Sequence, residues 1–329
     1  MSDPLADNPP STAGELPLRT TAPAKINLGL FVGPRREHDS RHELVTVIQA
    51  ISLADELTLE WAAAEDEVIC HGLELDTAEN LAALSLRLFR RATGWEAPPV
   101  RLTIEKRIPV AAGLAGGSAD AAAALRLARA ASGLGSKALL LELATELGAD
   151  VPAQLEPGRW LATGAGERLE RLPPPPASEL GVLLLPAAAG LSTGAVFAHG
   201  DELGIARSAE ELARIENELR DAFAASSATP SATPSAPSLL HNDLQRPAIA
   251  LRRAIDQALD QAREAGADVA FVSGSGPTVA GLFPGPDGVA RARVAAASLA
   301  KRRPAALCAS FLGAAAWTRD IPVRHNHCS

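Results

Sequence analysis

The sequence predicts a protein of mixed strands and helices divided between two halves, and three observations support this. The chain has 329 residues, of which 47% are hydrophobic, enough for the cores of two domains of ordinary size. Segments with apolar residues at every second position recur between segments with helical periodicity. Four consecutive prolines at residues 173–176 indicate a stiff connector. We therefore expect an N-terminal domain at residues 18–172, a connector at 173–178 and a C-terminal domain at 179–318.

The N-terminal half begins with a predicted strand. Ile26, Leu28 and Leu30 alternate there with Lys25 and Asn27, and a period of two is typical of a strand. The other elements expected in this half are two strands within residues 42–61 interrupted near Asp55, a helix from Asn80, a strand at 101–106, an Ala-rich helix opened by Ser118, a helix at 136–148 and a hairpin at 158–172.

The C-terminal half is predicted from the same patterns. The uncharged run at residues 181–198 is broken by proline and glycine, which favours a strand followed by a loop over a membrane span. The remaining elements are expected to be helices at 209–223, 249–265 and 290–300, a strand, glycine turn and strand at 268–283, and a last strand from Cys308. Residues 1–17, the low-complexity insert at 224–238 and residues 319–329, with His325, His327 and Cys328, are expected to be flexible.

Composition excludes several classes of partner. The net charge of −8 gives no electrostatic basis for binding nucleic acid or an anionic membrane surface, so a phosphate-bearing ligand must be held by local geometry. The three cysteines are too few and too scattered for a disulfide framework or a zinc site, which favours a reducing compartment. The acidic, Pro-rich N-terminus has no apolar segment of the kind found in signal peptides. We expect a cytoplasmic protein that is a monomer or a weak homodimer.

The most informative segment is the glycine-rich turn at residues 109–119, PVAAGLAGGSA, which passes directly into the Ala-rich helix. Glycines let the backbone approach an anion, and the free N–H groups of the helix start attract it. Ser118 is the expected N-cap. The segment lacks the Lys-Ser/Thr of a P-loop and the G-x-G-x-x-G of a dinucleotide-binding fold. A glycine-rich loop that merely caps a buried helix is the alternative.

Three charged or titratable residues have both a functional and a structural interpretation. Lys25, beside a buried strand, either extends to solvent or lies against an anion. Asp150 follows the helix that ends at Gly148 and is either a turn residue or a functional carboxylate. His42 stands at the start of a strand, where a histidine more often makes a structural hydrogen bond than a ligand contact.

Three stretches of the chain resemble the GHMP kinases, a family of small-molecule kinases. They are PAKINLGL at residues 23–30, PVAAGLAGGSADAA at 109–122 and SGSGPTVAGLF at 273–283. The resemblance implies an α+β fold with a ribosomal-protein-S5-like N-terminal half, a ferredoxin-like C-terminal half and an active site in the cleft between them.

The resemblance also implies a reaction. The segments RHELVTVIQAISLADEL, LGADVPAQL and HNDLQ fall where they do in the members that transfer the γ-phosphate of ATP to the 2-hydroxyl of diphosphocytidyl methylerythritol, in the non-mevalonate route to isoprenoids. A GHMP kinase of the homoserine or mevalonate type is one alternative. A catalytically silent nucleotide-binding sensor is another, although a sensor is expected to lose the Lys/Asp pair.

By resemblance, Asp150 is the base that accepts the hydroxyl proton and Lys25 is the cation beside it. The residues implied to bind ATP are Asn80, Pro109, Val110, Ala111, Ala112, Gly113, Leu114, Ala115, Gly116, Gly117, Ser118 and Ala119. Those implied to bind the second substrate are Asn27, Arg41, His42, Phe197, Gly274, Ser275 and Gly276. Mg²⁺ is expected from the chemistry, with Ser118 as the best single ligand.

The chain departs from the family pattern at three of these positions. Arg41 replaces a common tyrosine that stacks on cytosine, and a guanidinium plane can stack on a base in its place. Ala115 and Ala119 stand where glycine and serine are frequent, which removes one hydroxyl near the phosphates.

Overall fold

A computed structural model of the chain describes residues 15–72, 80–175, 180–225, 237–313 and 321–322. The N-terminal half comprises β1 (Leu18–Arg35), β2 (His42–Trp61), β3 (Glu67–His71), α1 (Leu81–Thr93), β4 (Val100–Glu105), α2 (Gly116–Ser132), α3 (Lys137–Leu147), α4 (Val151–Leu155), β5 (Arg159–Thr163) and β6 (Arg168–Arg171). The C-terminal half comprises β7 (Leu180–Leu185), α5 (Thr193–Glu202), α6 (Ala209–Ala225), α7 (Gln245–Leu251), α8 (Ala254–Glu264), β8 (Val269–Val272), β9 (Val279–Pro284), α9 (Gly288–Ser298), β10 (Leu307–Ser310) and β11 (Ile321–Pro322).

The first sheet is built on two long strands, β1, which the alternation pattern predicted, and β2. Its order is β11-β1-β2-β4-β3, with β5 pairing β2 and β6 pairing β5. The pair β3 and β4 is parallel and the other pairs are antiparallel. Apolar side chains of β2 and β4, such as Leu57 and Ile104, join Leu86 of α1 and Leu125 of α2 in one buried core. The sheet therefore carries the Ala-rich helix α2 on one face.

The second sheet has the order β10-β7-β9-β8, and all of its pairs are antiparallel. With α8 before β8 and α9 before β10, this is the βαββαβ arrangement of a ferredoxin-like fold, as predicted. One face packs on α8 and α9 through residues such as Leu259 and Ala292. Val182 and Leu282, by contrast, share a core with Ile26 of β1. The two halves are thus joined by a common core beside β1.

The strand β2 is continuous, so the predicted interruption near Asp55 is wrong. Asp55 is fully buried and lies opposite Ala22 in the β1–β2 ladder. Its carboxylate accepts hydrogen bonds from Lys106 Nζ and from the backbone N–H groups of Arg107 and Ile108. A buried charge that is paired in this way does not end a strand.

The single helix predicted at residues 249–265 is also wrong, because α7 and α8 are separate. Arg252 between them is extended, with φ −149° and ψ 92°. Its guanidinium donates a hydrogen bond to the carbonyl oxygen of Gly190 at 3.0 Å. The amphipathic pattern is nearly continuous across this break and so concealed it.

The loop predicted up to residue 198 is wrong as well, because it contains the start of α5. The Ser192 side chain caps this helix by accepting a hydrogen bond from the N–H of Ala195. Gly194 and Gly200 lower the helical propensity of the segment and obscured it.

Toward the C-terminus, Ile321 and Pro322 pair with Leu18 and Arg19 of β1, where the sequence suggested a flexible tail. Most of the predicted insert at 224–238, the first fourteen residues of the predicted N-terminal tail, and His325, His327 and Cys328 lie outside the described residues. In the part of the chain that the structure describes, none of the helices is both long and apolar enough to cross a membrane.

Candidate active site

A cavity of about 780 Å³ lies between the two halves, and both of them contribute to its walls. Most of the residues proposed for the site from sequence line it. The exceptions are Leu114, Ala119 and Gly276. Leu114 and Ala119 are each 1% exposed and belong to the cores on either side of the glycine loop. Gly276 lies behind the loop, where its carbonyl oxygen would be 2.7 Å from a Cβ added at Gly113.

Lys25 and Asp150 meet in this cavity. The Nζ of Lys25 is 3.7 Å from Oδ2 of Asp150, and the lysine side chain is 6% exposed whereas the aspartate side chain is 42% exposed. Lys25 therefore does not extend to solvent. Its Nζ donates to Asn27 Oδ1 at 2.8 Å, and Asn27 Nδ2 donates in turn to Thr46 Oγ1 at 2.9 Å. The ammonium is thus held on the sheet by hydrogen bonds, and the carboxylate stays open to a ligand.

The glycine loop is held between β1 and the C-terminal half by backbone hydrogen bonds. The N–H of Lys25 donates to the carbonyl oxygen of Leu114 at 3.1 Å, and the N–H of Thr278 donates to that of Ala112 at 3.3 Å. Ser273 Oγ also donates to the carbonyl oxygen of Gly113. The loop conformation therefore depends on both halves of the chain.

The helix after the loop begins at Gly116, so the prediction of Ser118 as the N-cap is wrong. The N-cap is Ala115, which has φ 56° and makes no side-chain capping hydrogen bond. A left-handed alanine is costly, and Ala111, with φ 51°, is a second one in the same loop. No side chain caps the first turn of α2, and the residues Gly116, Gly117 and Ser118 all line the cavity. Such a turn can bind an anion.

Substitution of Gly113 by alanine should disrupt the loop. Gly113 has φ +78°, and an added Cβ would lie 2.7 Å from the carbonyl oxygens of both Ser273 and Gly276. We expect a loss of stability of about 1–2 kcal/mol from the left-handed backbone and a further ~1–3 kcal/mol from overpacking, together with weaker binding of a phosphate-bearing ligand. Urea unfolding and calorimetric titration with a nucleotide measure these effects.

Gly94→Ala is the matched control, because Gly94 has φ +66° but open space where the Cβ would be. It should show the backbone cost alone and leave nucleotide binding unchanged. Equal losses of stability in the two variants would contradict the close approach at Gly113.

The second glycine turn is held by a residue that the sequence did not single out as functional. Asn242 is 4% exposed, and its Nδ2 donates to the carbonyl oxygens of Val272 and Gly274, both at 2.7 Å. Ser275 Oγ lies 2.9 Å from Thr193 Oγ1 at the start of α5. A Cβ at Gly274 would lie 3.2 Å from Asn27 Oδ1, so this turn packs closely on the side chain that accepts the hydrogen bond from Lys25. Asn242 belongs to the HNDLQ segment, and the resemblance of that segment to the kinase family is the sequence signal that could have identified it.

Asn80 lines the cavity next to the start of α1. Its Oδ1 accepts from the N–H of Ala82 as the N-cap, and its Nδ2 donates to Cys70 Sγ at 3.2 Å. Both polar atoms of the side chain therefore have a structural partner. Burial raises the pKa of the Cys70 thiol.

A buried cluster of Lys106, Asp55 and Asp120 was missed from sequence, although Lys106 and Asp120 both line the cavity. Lys106 Nζ donates to Asp55 Oδ2 at 2.6 Å and to Asp120 Oδ2 at 2.7 Å. Burial and the neighbouring Asp55 outweigh the Lys106 ammonium and raise the pKa of Asp120 to about 7. The cluster ties β2 to α2 at Asp120, four residues after the helix begins at Gly116.

The raised pKa of Asp120 predicts a pH dependence of stability. Between the ordinary aspartate pKa of about 3.9 and the folded-state pKa of about 7, the folded protein binds more protons at Asp120 than the unfolded chain does. This contribution is fully present below the lower value and is lost as pH rises through the higher one. Asp120→Asn should therefore flatten the decline in unfolding free energy over this range, as measured by urea unfolding at a series of pH values. An unchanged slope in the variant would contradict the raised pKa.

The opposite end of the cavity is formed by Arg41, His42 and Phe197. The rings of His42 and Phe197 stack with centroids 5.0 Å apart and an interplanar angle of 26°. Arg41 is half-exposed, and its Nη2 donates to the carbonyl oxygen of Ala165 at 2.7 Å. This end therefore presents aromatic and guanidinium planes.

The oxygen donors of the cavity are compatible with Mg²⁺ bound together with a nucleotide. Mg²⁺ keeps several waters and binds through one or two carboxylates plus substrate phosphates, so it does not need a complete protein cage. Ser118 and the open carboxylate of Asp150 both line the cavity and supply oxygens of the required kind. Within the described ranges there is no group of three or more His, Cys, Asp or Glu side chains that could hold a metal ion.

Comparisons with known proteins agree with this geometry. Residues 80–158 match the family model described as GHMP kinases N terminal domain, and residues 233–301 match the one described as GHMP kinases C terminal. The chain is 42% identical over 275 residues to the 4-diphosphocytidyl-2-C-methyl-D-erythritol kinase of Anaeromyxobacter sp. (strain K), an alignment that covers 82% of this chain and 81% of that protein. It is 42% identical over 271 residues to the enzyme of the same name from Streptomyces coelicolor, covering 79% and 85%.

Solved structures give the same result. A crystal structure of 4-(cytidine 5'-diphospho)-2C-methyl-D-erythritol kinase is 33% identical, with a TM-score of 0.69, and the match covers 90% of this chain and 99% of that chain. Homoserine kinase from Cytophaga hutchinsonii is only 16% identical, with a TM-score of 0.67 and coverage of 93% and 98%. The second likeness concerns the fold alone.

Proposed function

Because this chain belongs to the GHMP kinase family, we propose that it transfers the γ-phosphate of ATP to the 2-hydroxyl of 4-diphosphocytidyl-2-C-methyl-D-erythritol. The observation that carries the proposal is the Lys25–Asp150 pair, 3.7 Å apart in a cavity with a glycine loop and a stacking surface. The loop and the start of α2 suit the phosphates of ATP, and Arg41, His42 and Phe197 suit a pyrimidine base. Relatives about 40% identical over most of the chain carry this enzyme's name.

In this mechanism Asp150 accepts the proton of the attacking hydroxyl through its exposed carboxylate. Lys25 cannot act as the acceptor while it is an ammonium, because an ammonium has no free lone pair. Its charge instead holds the Asp150 carboxylate in place and offsets the negative charge of the transferred phosphoryl group. Asn27 and Thr46 fix the ammonium at this point. Positioning and charge compensation are the main contributions that proteins make to phosphoryl transfer.

The glycine loop binds the phosphates of ATP through backbone N–H groups. The N–H groups of residues 116–118 lie at the positive end of the 17-residue helix α2. Bound Mg²⁺ would neutralise phosphate charge, with the Ser118 hydroxyl and the Asp150 carboxylate as the protein groups that could hold it.

The other functions considered from sequence receive less support. A homoserine or mevalonate kinase shares the fold but has no use for the stacked His42 and Phe197 rings at the far end of the cavity. A catalytically silent sensor does not need an open Asp150 beside a buried Lys25. The scattered cysteines favour a cytoplasmic protein, and the net charge of −8 gives no basis for a nucleic-acid partner. A monomer or a weak homodimer stays our expectation for the oligomeric state.

A substrate panel tests the proposal. Purified protein is given ATP, Mg²⁺ and, in separate reactions, the diphosphocytidyl methylerythritol, homoserine and mevalonate, and ADP formation is followed. We expect turnover only with the cytidyl substrate. Turnover confined to another alcohol would overturn the substrate assignment, and no turnover with any of them would favour the sensor.

A further inference from the structure

Helix α5 contacts His42 through two residues one helical turn apart. Phe197 stacks on the face of the imidazole, and Asp201 Oδ1 lies 2.7 Å from Nε2 at its edge. Residues at positions i and i+4 share one face of a helix, so both contacts come from the same side of α5. The His42 side chain is only 9% exposed. The ring is therefore held by a helix of the C-terminal half, although His42 itself begins β2 of the N-terminal half.

The contact with Asp201 determines which ring nitrogen carries the proton. An ionised carboxylate only accepts hydrogen bonds, so Nε2 must donate its proton to Asp201. In a neutral imidazole the other nitrogen, Nδ1, is then an acceptor. Arg35 Nη1 lies 3.9 Å from the other carboxylate oxygen of Asp201, Oδ2. Metal-binding histidines are oriented in the same way, because a carboxylate that accepts a hydrogen bond from one ring nitrogen fixes the tautomer and leaves the other nitrogen free to bind.

An acceptor at this end of the cavity distinguishes between pyrimidine bases. Cytosine presents an exocyclic amine, which donates hydrogen bonds, where uracil and thymine present a carbonyl oxygen, which only accepts. An Nδ1 acceptor can pair with the amine but faces an unpaired oxygen in the uracil analogue. Sites built to hydrogen-bond a substrate group reject the analogue that lacks it, because a buried polar group is left unpaired.

We propose that Asp201 is a positioning residue for base recognition, which fixes His42 in the Nε2–H tautomer so that its Nδ1 selects a cytidyl over a uridyl substrate. The inference rests on the proposed function, because it takes the base of that substrate to lie at the His42 end of the cavity. It adds a residue from a different half of the chain, 159 positions from His42. Asp201 itself is not required to touch the substrate.

The test compares Asp201→Asn with wild-type protein. An asparagine amide can donate to Nε2, which would move the proton to Nδ1 and remove the acceptor. We expect kcat/KM for the cytidyl substrate to fall on the order of tenfold or more, and the preference over the uridyl analogue to be lost, with kcat changed much less than KM. Glu202→Gln is the matched control on the same helix, since Glu202 is 72% exposed and bonds to His199 instead. It should leave the preference unchanged.

Nitrogen-15 NMR of His42 in the protein without substrate gives a second readout, the tautomer itself. The wild type should show the proton on Nε2, and Asp201→Asn should show it on Nδ1. A wild-type proton on Nδ1, or an unchanged base preference in an Asp201→Asn variant that carries its proton on Nδ1, would overturn the inference. If the wild type has the expected tautomer but phosphorylates neither the cytidyl nor the uridyl substrate, it is the proposed function that fails. Calorimetric binding of CDP and UDP to both proteins then decides whether Asp201 governs base selection.

Discussion

Replacing Asp150 with asparagine is expected to lower kcat by roughly 10²–10⁴-fold, the range typical for removal of a general base. Asparagine keeps the size of the side chain but cannot accept the hydroxyl proton as a carboxylate does. The Lys25 ammonium, 3.7 Å away, also loses its opposite charge. Steady-state kinetics with saturating ATP and acceptor give the change in kcat directly.

The stability of the Asp150→Asn variant provides the control. Asp150 is 42% exposed and its pair with Lys25 is partly solvated, so its substitution should change the free energy of unfolding by at most about 1 kcal/mol. A variant that is folded but retains more than about one tenth of wild-type kcat would exclude Asp150 as the base. Lys25→Met should also lose activity, because the transferred phosphoryl group would then lack a buried cation.

Replacing Lys106 with methionine is expected to have the largest effect on stability. Methionine leaves Asp55 and Asp120 buried side by side without the ammonium that joins them. Removing one partner of a buried ion pair costs about 3–5 kcal/mol, because the remaining charge is left uncompensated. The start of α2 would also lose its link to β2, so we expect a raised KM for ATP. Urea unfolding measures the first effect and steady-state kinetics the second.

Lys137→Met is the matched control. Lys137 is 38% exposed and lies 3.7 Å from Glu156, which is 35% exposed, so the pair is solvated and should contribute at most about 1 kcal/mol. Similar small losses in both lysine variants would show that the Asp55 and Asp120 carboxylates are neutralised or hydrated without cost.

Features that depend on local sequence were predictable. The alternation in β1, the Ser136 and Asn80 side chains that cap α3 and α1, and the turn at Gly274 all follow from patterns within a few residues. Local composition also explains one error. Alanine rarely adopts a positive φ, so nothing indicated that Ala115 rather than Ser118 would be the N-cap of α2.

Features that depend on distant partners were not predictable from one sequence. A charged Asp55 within an apolar segment predicts an interruption of β2, because its partner Lys106 lies 51 positions away and cannot be identified from the sequence. Asp201 is an ordinary helix-end residue until the fold brings it to His42. The resemblance to the GHMP kinases supplied the positions of Lys25 and Asp150. It did not supply the hydrogen bonds from Lys25 to Asn27 and from Asn27 to Thr46 that hold the lysine in place.

The most direct measurement of the central claim is the identity of the phosphorylated product. Phosphorus-31 NMR of a completed reaction with ATP, Mg²⁺ and diphosphocytidyl methylerythritol shows where the new phosphate is attached. We expect one new monoester on the 2-hydroxyl, formed in equal amount with ADP, and none with Asp150→Asn over the same time. Release of inorganic phosphate without a new ester, or an ester at another hydroxyl, would contradict the assignment of this cavity.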